Sequence, residues 1–327
     1  MKTRLLCLLP LLMGWALPGW AACTLPPASG AFGTVSSFTV NTTASTTQAN
    51  VNVNCGNGSV LSLLTADFVR FQLASATFTR STRGTLKTAS TGTDSIPLQL
   101  CREAACTTEL TVGGPATTYT SAQLLNLIGL LGGLNFTFPL YLRTVPGEVV
   151  AAGNYTVVLN VLVNYSVCTG IGLLGACLLG SQQNGSGTVP ITVNMTITND
   201  CTTITAPNIS FGSAPLVGSF NSVAQSINVI CTKGSTYTVG LSNGNNAVGG
   251  QRYMRSGSNQ LAYDIYKRAT TSRWGPAGSQ RVASTAANTV SSDGLTRTYN
   301  YTARILTNQN TPPAGNYSDS VVVDLSF

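Results

Sequence analysis

Histidine is absent from all 327 residues. A Ser-His-Asp triad and a His-ligated zinc site are therefore impossible. Charge is scarce as well: Asp, Glu, Lys and Arg make up 8% of the chain, against roughly 25% in an average soluble protein. No carboxylate pair and no Gly-rich phosphate loop stands out, and Asp67 and Asp94 are isolated acids that read as surface or turn residues. Together these absences argue against an enzyme, a cofactor and a metal centre. No run beyond the first segment reaches about 18 apolar residues, so the mature chain has no candidate membrane-spanning helix. Helical periodicity is almost missing too, which leaves strands as the building material.

What is present begins with an export signal. Lys2 and Arg4 precede the mostly apolar stretch Leu5 to Leu17, and Ala21 and Ala22 offer a small-residue cleavage site. Residues 1–22 read as a secretory signal peptide, too short to span a bilayer. Trp20 stands where a lipoprotein signal wants a small aliphatic residue, which argues against acylation of Cys23. Losing Cys7 with the leader leaves eight cysteines, an even number suited to an oxidising compartment. About 305 residues remain, enough for two domains with their own cores. Removing Lys2 and Arg4 lowers the formal net charge from +7 to +5. The basic stretch Arg252, Arg255, Lys267, Arg268 and Arg273 could suit phosphate or nucleic acid, but in an exported chain it reads as a solvated or subunit-facing surface. No nucleic-acid partner is expected.

Set against itself, the chain shows one plan twice. Cys23, Phe32-Gly33 and Cys55 recur as Cys201, Phe211-Gly212 and Cys231. Val51 and Val53 alternate before the first Cys55, as Ile227 and Val229 do before Cys231, which is the period of a half-buried strand. Ala152-Gly153-Asn154-Tyr155 returns as Ala314-Gly315-Asn316-Tyr317, with Arg143 and Arg304 at nearly the same distance ahead. Matching landmarks in one order indicate an internal duplication. The repeat pairs Cys23 with Cys55 and Cys201 with Cys231, leaving Cys101–Cys106 and Cys168–Cys177 as short loops of the first copy. Sequence alone leaves other pairings open, since four cysteines in one domain already allow three. Short strands between Gly, Pro, Asn and Ser clusters give an all-β chain of two immunoglobulin-like sandwiches. The expected division is residues 23–198 and 199–327, joined by a short linker.

The copies end differently. After its Ala-Gly-Asn-Tyr the second has one strand, with Val321, Val323, Leu325 and Phe327 on one face, expected inward. The first continues through an apolar excursion into a further strand, Thr188 to Ile197, whose Val189, Ile191, Val193, Met195 and Ile197 share a face. Pro190 suggests that this strand begins at an edge. A sandwich one strand short exposes core side chains and an unpaired backbone edge, and the remedy is a strand donated by another chain. With Cys23 at or next to the mature start, no free segment is left to donate, which places the chain at the end of a polymer.

The second copy resembles the spore coat U domain found in subunits of archaic chaperone–usher (Csu-type) pili. The resemblance rests on Cys201, Phe211-Gly212, Cys231-Thr232-Lys233-Gly234, Tyr237, Arg252-Tyr253-Met254, Leu261-Ala262-Tyr263-Asp264-Ile265-Tyr266 and Ala314-Gly315-Asn316-Tyr317-Ser318-Asp319. The first copy matches more loosely and lacks the Arg-Tyr-Met and Tyr-Asp-Ile-Tyr segments. The two-domain layout is similar to the tip adhesin of these pili. That implies an N-terminal binding domain, a C-terminal pilin domain completed in trans, a periplasmic pilus chaperone, an outer-membrane usher, an adjacent subunit donating a strand, and a place at the pilus tip on the cell surface.

Two Leu/Gly segments of the first copy remain. One contributes Leu124, Leu125, Leu127, Ile128, Leu130, Leu131 and Leu134; the other contributes Ile171, Leu173, Leu174, Leu178 and Leu179. Neither alternates cleanly, so both fit poorly as strands, and apolar loops usually mark interaction sites. They are read as loop tips that bind an abiotic or host surface, as the resemblance implies for tip adhesins, against a reading as core with Leu124 to Leu134 partly helical. Val60 to Leu64 is a third candidate. A carbohydrate site is the rival function, although residues 23–198 contain no Trp platform. A purely structural or initiator subunit is the other.

Overall fold

The computed structural model describes residues 23–56, 66–124, 127, 134–173, 176–178 and 180–327. The first part of the chain forms β1 (Ala28–Ser36), a short helix α1 (Ser37–Thr42), β2 (Thr46–Asn54), β3 (Phe68–Ala76), β4 (Thr79–Arg80), β5 (Arg83–Leu86), β6 (Ile96–Cys101), β7 (Glu109–Leu110), β8 (Thr117–Thr120), a one-turn helix α2 (Ser121–Leu124), β9 (Asn135–Thr144), β10 (Gly153–Cys168), β11 (Ile171–Leu173), β12 (Ala176–Leu178) and β13 (Gln182–Thr198). The second forms β14 (Cys201–Thr205), β15 (Val223–Cys231), β16 (Thr238–Leu241), β17 (Arg252–Ser256), β18 (Asn259–Lys267), β19 (Val282–Ala283), β20 (Thr289–Val290), β21 (Thr296–Ile305) and β22 (Val323–Ser326).

Two sheets face each other in the first part, ordered β1-β13-β10-β3-β8 and β2-β9-β6-β5-β4. Period-two alternation builds the core between them. Along β10 Tyr155, Val157, Leu159, Val161, Val163 and Tyr165 are buried, while Thr156, Asn160 and Asn164 point outward. The second part repeats the plan with β14-β15-β21-β18-β17 and a small sheet β19-β16-β22. Its buried side chains form a separate cluster around Trp274, Tyr299 and Val229. These are immunoglobulin-like sandwiches, and all four expected disulfides are present.

The repeated motifs fold alike. Phe32-Gly33 marks a register shift in β1, where Gly33 has φ +71°, and Gly212 has φ +72° at the matching place. Only glycine takes that left-handed conformation without strain, which explains the motif. Each Gly-Asn-Tyr closes its turn with the tyrosine hydroxyl. Tyr155 donates to the Ala151 carbonyl at 2.9 Å and Tyr317 to the Pro313 carbonyl at 2.7 Å. Burial pushes the Tyr155 phenol up to about 12.

Four expectations need correction. The additional strand begins at Gln182 rather than Thr188. Up to Pro190 it pairs only with β10, because β1 joins from Ile191 onward, so the missing proline N–H removes no bond to β1. Asp67 and Asp94 are not surface residues without roles: Asp67 is 2% exposed, and Asp94 accepts from the Ala151 N–H at 2.8 Å and pairs with Lys233. The basic stretch is not a surface patch either, since Arg252 is wholly buried and Arg273 pairs with Asp264. Finally, the second Leu/Gly segment does contain strands, the hairpin β11–β12. Three-residue strands are too short to display a period.

Candidate functional site

One end of the first sandwich gathers the flanks of all three apolar segments. The Leu134 N–H donates to the Gly56 carbonyl at 2.8 Å, joining the edges of residues 57–65 and 128–133. The Asp67 carbonyl accepts from Ser121 Oγ at 3.1 Å, at the start of α2. The Asp67 carboxylate accepts from the Cys168 N–H at 3.1 Å and from Gln182 Nε2 at 3.1 Å, the two sides of the β11–β12 excursion. Sequence reading missed this role. Asp67 is a lone acid in the sequence, and its partners lie about a hundred residues away.

Within the hairpin Ile171 stands directly opposite Leu178. Both are exposed, at 39% and 45%, and Cys168–Cys177 ties the hairpin to the sheet. In the first segment the described residues face inward: Leu124 and Leu134 are buried and Leu127 packs against the core. These three therefore anchor that segment and do not belong to an exposed tip. Two hydrophobic residues at the ends of a loop hold its exit points on the sandwich. Leu173 lies in β11; Leu125, Ile128, Leu130, Leu131, Leu174, Leu179 and the Val60–Leu64 segment lie outside the described residues. Strand β10 has 16 residues, which at about 3.3 Å each puts this end roughly 50 Å from Gly153. Gly153 neighbours the contact with the second part, where Ala151 bridges Lys233 and Ser37 Oγ meets Thr232 Oγ1 at 3.0 Å.

Asp67→Ala should loosen this end without unfolding the sandwich. Removing a buried acceptor leaves the Cys168 N–H unpaired, at a cost of roughly 1–3 kcal/mol. Amide exchange at Cys168 and Thr169 should accelerate, while exchange in the middle of β10 stays slow.

The second feature is a groove in the second sandwich. In the first part β13 fills the space between β1 and β10, and its Val189, Ile191, Val193, Met195 and Ile197 are at most 2% exposed. In the second part β22 matches β10 and pairs with β16, but among the described residues no strand lies on its other edge. The segment matching β1, around Ile209 and Phe211, forms no strand, since its partner is missing. Burial records the difference position by position. Leu159, Val161, Val163 and Tyr165 are at most 4% exposed; their counterparts Val321, Val323 and Leu325 are only half-buried and Phe327 is 67% exposed. Val322 points away, at 59%. One end of the groove opens into a cavity of about 500 Å3, lined by Ile209, Phe211, Phe220, Met254, Leu261 and Tyr317.

Behind the groove lies a buried ionic cluster. Arg252 donates to Asp264 Oδ1 at 2.6 Å, to the Ser242 carbonyl at 2.7 and 2.9 Å, to the Leu241 carbonyl at 3.1 Å and to the Trp274 carbonyl at 2.8 Å. Asp264 Oδ2 accepts from Arg273 at 2.7 Å. Burial lowers the Arg252 pKa, which Asp264 partly offsets. The cluster fixes the end of β16, the only strand that holds β22 among the described residues.

Two immunoglobulin-like sandwiches in series, the first closed and the second open along one edge, define the class. The chain belongs to the spore coat protein U domain family, whose model matches residues 13–162 and again residues 187–324. Its fold is similar to the crystal structure of the CsuC–CsuE chaperone–tip adhesion subunit pre-assembly complex of archaic Csu pili from Acinetobacter baumannii, at 24% identity and TM-score 0.55, covering 94% of this chain and 100% of that one. Weaker likenesses include the CupB6 tip adhesin of Pseudomonas aeruginosa, at 12% identity and TM-score 0.37 over 93% of this chain and 94% of that one. CfaE, the adhesive subunit of CFA/I fimbria of enterotoxigenic Escherichia coli, matches at 12% identity and TM-score 0.34, over 91% of this chain and 92% of that one. No protein of curated function matches the sequence.

Proposed function

We propose that this protein is the tip adhesin of a chaperone–usher pilus, exported through the periplasm to the cell surface, where it mediates attachment and biofilm formation. Residues 23–198 are the binding domain and residues 199–327 the pilin domain. The observation that carries the reading is the open groove beside β22, at positions where the first copy is sealed by its own β13. A periplasmic chaperone lends a strand to the groove, the outer-membrane usher exchanges it, and the adjacent subunit's strand occupies it in the pilus. The fold shared with a tip adhesion subunit supports the same assignment.

Binding is assigned to the distal end of the first sandwich. Apolar groups held there gain about 25 cal/mol for each Å2 buried against a hydrophobic surface. The exposed pair Ile171 and Leu178 is the described part of that contact. Pili carrying Ile171→Asp with Leu178→Asp should assemble at normal levels and lose most of their attachment to polystyrene. Unchanged attachment would overturn the hydrophobic reading; attachment abolished by a free sugar would favour a carbohydrate site. The groove has a separate test. Expressed in the periplasm without a strand donor, the full chain should aggregate or be degraded, and co-expression with the cognate chaperone should recover it as a one-to-one complex.

A further inference from the structure

Strand β21 carries Arg297, Tyr299, Tyr301 and Ala303 on one face, and the last three are buried in the core. Arg297 lies opposite Val229, itself fully buried, so its side chain also faces inward. The first copy has Phe136 at this position, opposite Val53 and fully buried. An arginine thus stands where the closed sandwich keeps an apolar ring. Its guanidinium sits 5.5 Å from the Tyr237 ring, and the Tyr237 ring is 6.1 Å from that of Phe327. This is the end of the groove where β22 finishes.

Arg297 Nη1 is out of contact with solvent and has no hydrogen-bond partner among the described residues. Every side-chain carboxylate of residues 199–327 already has a partner. Asp200 is held by Thr198, Asp264 by Arg252 and Arg273, Asp319 by Tyr263 and Asn246, Asp324 by Arg281, and Asp293 by Ser291 and Leu295. A strand laid along β22 would dry this end further. A purely apolar strand would then leave the Nη1 donors with no acceptor, which is unfavourable.

We propose that Arg297 is a specificity anchor of the groove, taking an Asp or Glu side chain carried near the N-terminal end of the incoming strand. The inference rests on the strand-acceptor reading above. The first copy supplies the register: β13 runs antiparallel to β10, Tyr165 faces Gly185, and Val163 faces Gly187. Glycine suits position 185 there, because a Cβ would lie 2.3 Å from the Tyr165 hydroxyl and force the ring to shift. Phe327, the counterpart of Tyr165, has no hydroxyl and lies largely exposed, so the incoming strand has room for a side chain beside Arg297. Apolar residues follow at alternate positions, as Val189, Ile191 and Val193 do in β13.

The test uses the full mature chain, purified as its one-to-one chaperone complex, and a fluorescein-labelled peptide of residues 183–198 that exchanges into the groove, read by anisotropy at low salt. Peptides carrying Gly185→Asp or Gly187→Asp are compared with the parent. At least one acidic peptide should bind at least tenfold more tightly, and the gain should shrink at high salt. The gain should vanish in Arg297→Leu, persist in part in Arg297→Lys, and leave the parent peptide bound to Arg297→Leu at least as well. If the parent binds and neither acidic peptide gains, or if the gain survives Arg297→Leu, the anchor is wrong while the groove stands. If no peptide binds the unaltered chain, the acceptor reading falls and the anchor with it.

Discussion

A copy of residues 182–198 fused after Phe327 through a flexible linker of about 13 residues is expected to convert the open sandwich into a closed one. The linker length follows the first copy, where residues 169–181 join β10 to β13. The fused strand would return antiparallel to β22, as β13 returns along β10. It would cover Val321, Val323 and Leu325, and give the Ile209–Phe211 segment the partner that β1 has. Each apolar side chain taken fully from water is worth roughly 1.5–3 kcal/mol, against the ordering of the new strand. We expect a monomeric chain whose second half melts at least ~10 °C higher, about 3 kcal/mol for a domain of this size. Trp274, the one tryptophan after residue 22 and fully buried, reports that transition by fluorescence. An unfused chain that is already monomeric and melts at the same temperature would overturn the missing-strand account.

The second large effect concerns Arg252. Its guanidinium makes four contacts to backbone carbonyls and one to Asp264 while fully buried. Arg252→Met keeps an unbranched apolar stem and removes every donor. The Leu241, Ser242 and Trp274 carbonyls would then lose the guanidinium, and Asp264 would retain Arg273 and the Ile265 N–H. Breaking a buried pair of this kind costs about 3–5 kcal/mol. The urea midpoint followed by Trp274 should fall accordingly, whereas Arg255→Met, on the exposed side of the same strand, should stay within about 0.5 kcal/mol. Equal effects for the two would show that the cluster adds nothing beyond strand propensity.

The duplication was legible because its markers are local: a Phe-Gly bulge, a Gly-Asn-Tyr turn, and cysteines at fixed distances. Alternation was readable wherever a strand has one buried face, which is why Val321, Val323 and Leu325 could be placed together. The distal end was harder. Leu124 and Leu134 look like Leu130 in sequence, yet the first two are core residues, since burial there depends on where the segment leaves the sandwich. Asp67 gave no signal, because its partners come from β10, β13 and α2 and meet only in the folded chain. Arg297 was invisible for a related reason. An arginine in a strand reads as an outward residue until the register places it opposite Val229.

One consequence follows from the position of β13. This strand starts at Gln182, beside the exposed hairpin, and ends at Thr198, two residues before β14. A single extended segment therefore links the distal end of the first sandwich to the second. An extended chain spans at most about 3.3–3.6 Å per residue, and a strand is already near that limit. On the proposed function, a pull between a bound surface and the shaft would run along peptide bonds that have no slack to give. The ladders to β10 and β1 lie across that pull, so they keep the strand straight while covalent bonds carry the tension.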